Sequence, residues 1–448
     1  MTCAMCVAMA VCAAAAAQEL EMSVSPSPVG SGARAAGMAD AFVAVADDAT
    51  AASWNPAGLV QLERPELSVA LSYIGVRDEF SVPHHSETDS THNTDDGNIN
   101  YLSVVYPLPV LVLGRNVTLA FTSQHKYDFD RDLSIDYNYD WTNPSVLDMK
   151  WRQRGGLSTI SPAVAVELTD RLSLGVALNV WDDSLLSDNG WDQTSHATIV
   201  SNVAGDIYTT RIDKHTEYSD VSGENVTVGM LFRISPKWDI GVRYDSSLVA
   251  DARYRSRRST AVDTESAPAK PDDAVIETVK ERRRLRLPES FAVGVACHAT
   301  DRLTASLDVT RTDWDDFYVK DAAGTRFSLV NAANLDDPDE RENFDPTYTV
   351  RFGTEYVFIP DDKDTALDRL WTVRGGVFFD QEPASGSPDN FYGFATGLGL
   401  LIKQRFNIDL AYQLRYGHDV NSDFVRGLDG FEEDVIQHRV LLSAIVYF

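Results

Sequence analysis

Apolar and polar residues alternate along most of the chain after Pro65, with the two-residue period of β-strands. The clearest example is residues 406–417. Because successive side chains of a strand point to opposite faces, this segment has one apolar and one polar face. The apolar face is Phe406, Ile408, Leu410, Tyr412, Leu414 and Tyr416, and the other face is Asn407, Asp409, Ala411, Gln413 and Arg415. The same alternation is clear in residues 226–234, 238–245 and 348–356.

Ten further segments show a weaker form of this pattern. They are residues 65–74, 99–107, 116–125, 157–168, 171–181, 285–298, 302–312, 370–380, 390–402 and 436–448. Together with the four clear segments they predict about fourteen strands, an even number that suits a closed bacterial barrel.

The predicted connections alternate between short turns and long polar loops. Turns are predicted at residues 169–170, 235–237, 299–301 and 403–405, and loops at 76–98, 126–156, 182–223, 251–284, 313–344, 381–389 and 418–435. Short periplasmic turns and long external loops are typical of outer-membrane barrels. Residues 360–368 are one exception, because this periplasmic connection is longer than a turn.

A large soluble β-sandwich or propeller is the alternative, since its strands also alternate. The chain shows no blade-length repeat, and its loop lengths alternate. Tyr and Trp flank several strands, for example at Trp238 and Tyr244, as expected of side chains at membrane interfaces. In hydrocarbon every backbone donor needs a partner, so a sheet must close on itself. The fold class predicted is all-β, a transmembrane antiparallel β-barrel of about 14 strands in the bacterial outer membrane.

Residues 30–62, before the first strand, are rich in small side chains and contain Asn55-Pro56-Ala57-Gly58. Small residues let a backbone lie close against a wall, which favours a hatch or plug inside the barrel lumen. An ordinary surface helix capped by Ser31 or Asp40 is the alternative.

An apolar, Ala-rich run at residues 8–17 resembles a secretory signal, although no Lys or Arg precedes it. We therefore predict a signal peptide at residues 1–17, a hatch at 18–64 and the barrel at 65–448. The part after the signal keeps only Cys297, so no internal disulfide is expected. The net charge of −28 makes nucleic-acid binding improbable.

One stretch resembles a known family. Residues 32–42, GARAAGMADAF, are followed by ADDAT at 46–50 and WNPAG at 54–58, and this looks like the N-terminal signature of the FadL/TodX outer-membrane transport family. That resemblance implies a fourteen-strand barrel with a hatch at Asn55, Pro56 and Ala57. It also implies hydrophobic cargo, such as long-chain fatty acids or aromatic hydrocarbons, and sideways release through the wall.

The same signature resembles the PorV/PorQ-like barrels, which implies an alternative function of binding or shuttling secreted proteins. A general polar porin is a third, weaker possibility. The terminal strand ends in Phe448, which resembles the signal read by the barrel-assembly machinery. Expected partners are therefore hydrophobic small molecules, outer-membrane lipid with lipopolysaccharide, and that machinery.

Several residues are candidates for cargo binding. They are Trp181, Leu185, Leu186 and Trp191 beside a long loop, Arg284 in a basic run, and Gly393 and Gly397 on the small face of residues 390–402. For the tryptophans, an interfacial aromatic belt is the alternative. For the basic run, Arg282–Arg284 with Arg286, the partner is a fatty-acid carboxylate or, as the preferred reading, lipopolysaccharide phosphate.

Charges of both signs are predicted on the lumen side. They are Asp239, Arg243, Arg351, Glu355, Arg374, Asp409, Arg415 and Arg439, and we expect them to pair and hold the plug, since lone buried charges are costly. No motif of an enzyme or a cofactor site is recognised. His84, His85 and His92 lie in an Asp-rich stretch that is better explained as a solvated loop than as a metal site.

Overall fold

The computed structural model describes residues 31–83, 86–139, 145–183, 188–203, 206–264, 274–327, 345–360, 368–384, 387–420 and 432–448. The predicted signal peptide and the first part of the predicted hatch lie outside these ranges. Among the described residues, none of the helices is long and apolar enough to cross a membrane.

Three short helices precede the first strand, and two more short helices lie between strands. The helices are α1 (Ala33–Gly37), α2 (Ala51–Trp54) and the 3-10 helices η1 (Pro56–Gln61), η2 (Ser86–Thr88) and η3 (Trp314–Asp316). The strands are β1 (Glu66–Ser81), β2 (Ser90–Pro107), β3 (Val117–Asp128), β4 (Arg131–Tyr139), β5 (Ser145–Thr169), β6 (Leu172–Trp181), β7 (Gly190–Val203), β8 (Asp206–Ser235), β9 (Trp238–Asp245), β10 (Leu248–Thr264), β11 (Val275–Leu287), β12 (Ser290–Thr300), β13 (Leu303–Thr312), β14 (Tyr318–Lys320), β15 (Arg326–Phe327), β16 (Thr347–Phe358), β17 (Arg369–Glu382), β18 (Asp389–Ile402), β19 (Phe406–Val420) and β20 (Glu432–Tyr447).

Fourteen of these strands close into one antiparallel barrel. Their order around the wall is β1, β2, β3, β5, β6, β8, β9, β12, β13, β16, β17, β18, β19 and β20. The last strand pairs with the first, from Glu66 opposite Tyr447 to Ser81 opposite Glu432. Each predicted strand corresponds to one strand of this wall, so the predicted fold class is confirmed.

The outward face of the wall is apolar and carries an aromatic residue near each end. On β19 the side chains of Phe406, Ile408, Leu410 and Tyr416 are exposed, whereas Asp409 and Arg415 are buried. Ten residues of strand separate Phe406 from Tyr416, about 34 Å of length. At the usual tilt this gives an apolar band of about 25 Å, which matches a bilayer core.

The six other strands extend the wall at one end. The extension has the order β4, β5, β7, β8, β10, β11, β14 and β15, and it uses the N-terminal parts of β5 and β8. We call this the hairpin end, and the opposite end, which contains Pro65 and Phe448, the turn end. Much of this region was predicted as loops, and that prediction was wrong. Polar residues such as those of β7 also form strands when one face of their hairpin is in water. Their polarity therefore does not distinguish such a strand from a loop.

The N-terminal segment, residues 31–62, is buried against the inner face of the wall. Ala33, Ala36, Met38 and Phe42 are completely buried. Side chains of α2 and η1 pack with inward residues of the wall, such as Val105 of β2. The alternative of a surface helix is therefore excluded.

Candidate functional site: the N-terminal segment and the chamber above it

Glycines on the wall let the N-terminal segment approach closely. A Cβ atom added to Gly175 would lie 2.3 Å from the carbonyl carbon of Pro56, and one added to Gly229 would lie 2.1 Å from Oδ1 of Asn55. Only glycine fits where two backbones approach this closely. The same holds on other strands at Gly241 and Gly353. The sequence analysis did not single out these four residues for this contact, although glycine at an inward strand position is the signal that would have found them.

Asn55 ties the segment both to itself and to the wall. Its Nδ2 donates to the carbonyl oxygen of Val43 at 2.9 Å and to that of Met230 on β8 at 3.0 Å. Its Oδ1 accepts from the backbone N–H of Ala57 at 3.1 Å, which caps η1. Pro56 occupies the first position of η1, where its missing N–H costs nothing. Asn55, Pro56 and Ala57 thus form one buried corner against β6 and β8.

A buried ion-pair chain joins the segment to the far side of the wall. Arg34 donates to both oxygens of Glu355 at 2.9 Å and lies 2.6 Å from Asp47. Glu355 also accepts from Arg374, 2.7 Å away, and Arg374 in turn pairs with Asp409 at 2.7 Å. Each charge is therefore compensated, which buried charges require.

A second chain lies towards the hairpin end. Asp40 of the segment pairs with Arg351 at 3.1 Å and accepts from Gln413 at 3.1 Å. Arg351 also pairs with Asp380 at 2.9 Å. Arg415 continues the network through Glu382 at 2.8 Å. The predicted lumen charges thus pair across the wall strands, and several of them contact the segment.

The inner face of the hairpin extension is lined by aromatic side chains. Trp191 stacks on Tyr218 with ring centroids 4.3 Å apart, and it meets Phe129 edge-on at 5.2 Å. Trp181 stacks on Tyr127 at 5.8 Å. The two tryptophans, which the sequence analysis singled out, therefore lie in the same buried cluster, which we call the aromatic chamber. It comprises Phe129, Leu157, Trp181, Trp191, Tyr218, Val221, Leu248, Ala250, Ala252, Tyr254, Leu285, Leu287, Trp314, Phe317 and Val319, with Tyr127 packed on it.

A small polar cavity of about 50 Å³ adjoins the chamber. Trp181 and Trp314 line its upper side, and Lys126, Arg243 and Asp245 line the remainder. Arg243 pairs with Asp245 at 2.8 Å and donates to the carbonyl oxygen of Trp54, at 3.3 Å. Arg243 therefore links the lining of the cavity to the residue before Asn55.

A larger cavity of about 550 Å³ lies on the opposite side of the segment, at the turn end. Its lining is mostly polar and includes Gln61, Glu63, Asp170, Arg171, Arg233 and Asp239. The segment therefore lies between an aromatic region on one side and a cavity with a polar lining on the other.

The remaining candidates have different surroundings. Leu185 and Leu186 lie outside the described residues. Arg284 is on the outer face of β11, where it pairs with Asp251 at 3.1 Å, and it is not part of the chamber. Gly397 faces inward against Gly37 of the segment, and the space beside Gly393 is filled by the ring of Phe378. The structure thus groups the two tryptophans but not the arginine or the glycines.

Comparisons with known proteins agree with this architecture. The chain matches the model of an outer membrane protein transport family (OMPP1/FadL/TodX) over residues 5–431. No curated protein sequence matches it significantly.

Three solved structures share its fold. A FadL homologue of Pseudomonas aeruginosa is 14% identical, with 94% of this chain and 98% of that chain covered and a TM-score of 0.59. CymD, a monoaromatic hydrocarbon channel, is 13% identical, with 94% and 98% covered and a TM-score of 0.56. The toluene transporter TbuX of Ralstonia pickettii is 14% identical, with 93% and 98% covered and a TM-score of 0.53. The family model covers nearly the whole chain, so the protein belongs to the OMPP1/FadL/TodX family of outer-membrane transport barrels.

Proposed function

We propose that the protein carries hydrophobic small molecules, of the size of long-chain fatty acids or aromatic hydrocarbons, across the outer membrane. The aromatic chamber supports this proposal most directly. Trp181, Trp191 and Trp314 lie in one apolar cluster at the external end, where each is packed against neighbouring side chains and at most 3% exposed. Apolar ligand sites are lined mainly by such side chains, with few polar groups.

Residues 18–64 act as a hatch in this proposal, residues 65–448 form the barrel, and residues 1–17 are a signal peptide. Asn55, Pro56 and Ala57, the buried corner described above, are the proposed hinge about which the hatch moves. The hydrogen bond from Arg243 to Trp54 supports this role, because it links the cavity below the chamber to that corner.

Release is proposed to occur sideways, between β5 and β6. Their ladder pairs Ile160 with Val180 and Ala163 with Ala177 in one register, but it includes no pair for Ser161 or Pro162. Ser161 contacts β6 through its side chain, whose hydroxyl donates to Oδ1 of Asn179 at 2.8 Å. Pro162 has no N–H to donate and faces outward. The gap is near Gly175, against which Pro56 packs.

The Pro162→Val variant tests this route, since it restores an N–H donor to the strand. We expect cargo uptake to fall several-fold while cargo binding to purified protein is unchanged. Val164→Ala, also outward on β5, is the control and should transport like the parent. Parental uptake by Pro162→Val would reject release between these strands.

The outside of the barrel is proposed to contact outer-membrane lipid, including lipopolysaccharide. The terminal strand, with Phe448 72% exposed at its end, is the proposed recognition element for the barrel-assembly machinery.

Uptake by cells that express the protein tests the cargo class. Cells with the parent should accumulate labelled oleate or toluene faster than cells without it, and glucose uptake should not change. The double variant Trp181→Ala, Trp191→Ala should reduce this uptake about tenfold, because stacked aromatic rings dominate such contacts. The control is Trp238→Ala, Trp371→Ala, which alters two outward tryptophans that are 45% and 52% exposed. Equal uptake of glucose, or full uptake by the chamber variant, would contradict the proposal.

A further inference from the structure

The outer face of the β10–β11 hairpin carries a column of cations. Side chains of β10 alternate strictly, with Ala252 and Tyr254 buried in the chamber and Arg253, Arg255 and Arg257 exposed to the outside. On β11, Lys280, Arg282 and Arg284 are exposed as well. We call these six residues the cationic column. It stands on a chain whose net charge is −28, so it is a local exception.

Cations face each other across the two strands. Arg253 lies opposite Arg282, and Arg255 lies opposite Lys280. Like charges that are direct neighbours on one face destabilise a sheet. Carboxylates relieve only part of this repulsion, through Arg253 with Asp220 at 2.5 Å and Arg284 with Asp251 at 3.1 Å. Glu217 of β8 also lies opposite Arg255, on its other side. Among the residues that the structure describes, Arg255, Arg257, Lys280 and Arg282 form no ion pair.

The column begins at the membrane surface. Below it, Val249 of β10 is 44% exposed, and the outward rings of Tyr244 and Phe291 mark the external end of the apolar band on β9 and β12. Successive outward residues are about 7 Å apart, so the column rises roughly 27 Å along the strand from Val249 to Arg257. This is the layer of outer-leaflet headgroups and of the sugars attached to them.

We propose that the cationic column binds the phosphate groups of lipopolysaccharide. Arg guanidinium groups bind phosphate oxygens through paired hydrogen bonds, and each cation near an anionic membrane surface adds favourable energy. Lipid A and its inner sugars carry phosphates at several heights, which matches a column better than a single pocket. The inference rests on the outer-membrane location of the barrel and is independent of the cargo.

The variant Arg253→Gln, Arg255→Gln, Arg282→Gln tests the proposal. We expect the lipid A that purifies with each barrel, measured by mass spectrometry, to fall about fivefold or more. The matched control is Arg171→Gln, Lys237→Gln, Lys403→Gln, which removes three exposed cations at the turn end and should keep the parental amount. Heat-dependent gel mobility shows whether each variant is folded. A folded column variant that retains the parental amount of lipid A would overturn the proposal.

A second measurement identifies the chemical group. Lipopolysaccharide added to delipidated parent in detergent should raise the unfolding temperature of the parent and of the turn-end control, but not that of the column variant. Lipopolysaccharide stripped of its phosphates should lose this effect, and inorganic phosphate should not replace it. An equal effect of the dephosphorylated lipid would reject phosphate as the ligand. Uptake of hydrophobic cargo by the column variant should be parental, which separates this proposal from the transport function.

Discussion

Deleting residues 30–62 is expected to turn a nearly closed barrel into an open, water-filled pore. In the intact protein this segment packs against the inner face of the wall with completely buried residues such as Met38, Phe42 and Leu59. The wall does not depend on it for backbone hydrogen bonds, because each strand pairs with its two neighbours. Barrels of this size leave an aqueous channel when nothing fills them. Ion conductance in planar bilayers should therefore rise by about tenfold or more.

The deletion allows water to reach the lumen charges that the segment covers in the parent. Glu355 and Asp308, for example, lose partners in the segment but gain hydration, so the wall should still fold. Far-ultraviolet circular dichroism and heat-dependent gel mobility check this. The parent in the same bilayers is the control. A folded deletion variant that conducts no more than the parent would show that the segment is not a plug.

The strands of the wall were predictable because each has one face towards hydrocarbon and one towards the lumen. On β9, Trp238 and Tyr244 are outward whereas Asp239 and Arg243 are inward, and this contrast is visible in the sequence. The hairpin extension lacks it. Both Tyr254, which faces the chamber, and Arg255, which faces water, are residues found in loops and strands alike, so the alternation on β10 carries little hydrophobic signal.

The site was predictable only in part, because its contacts join distant parts of the chain. Arg34 and Glu355 are 321 positions apart, and no local pattern connects them. Trp181 and Trp191 could be identified as candidates because they are large apolar side chains beside a long predicted loop. Arg282, Arg283 and Arg284 formed one basic run in the sequence, but strand alternation puts Arg283 beside Tyr254 in the chamber and its neighbours outside.

Glu355→Ala is expected to release the N-terminal segment from the wall without unfolding the barrel. This carboxylate accepts two hydrogen bonds from Arg34 and one from Arg374, and it is 7% exposed. Removing one partner of a buried ion pair costs about 3–5 kcal/mol. Arg34 keeps Asp47, so we expect the lower end of this range. A cost of about 3 kcal/mol raises the population of the released segment by on the order of a hundredfold.

Planar-bilayer recordings of Glu355→Ala should then show frequent brief openings that the parent lacks, each as large as the conductance of the deletion variant. The control is Glu224→Ala, which removes an exposed carboxylate from β8. We also expect a limit on the double variant Arg34→Ala, Glu355→Ala. Its increase in opening frequency should not exceed the combined increases of the two single variants, because both changes break the same contact. Closed recordings from a folded Glu355→Ala barrel would show that the charge pairs satisfy the lumen side chains but do not hold the segment in place.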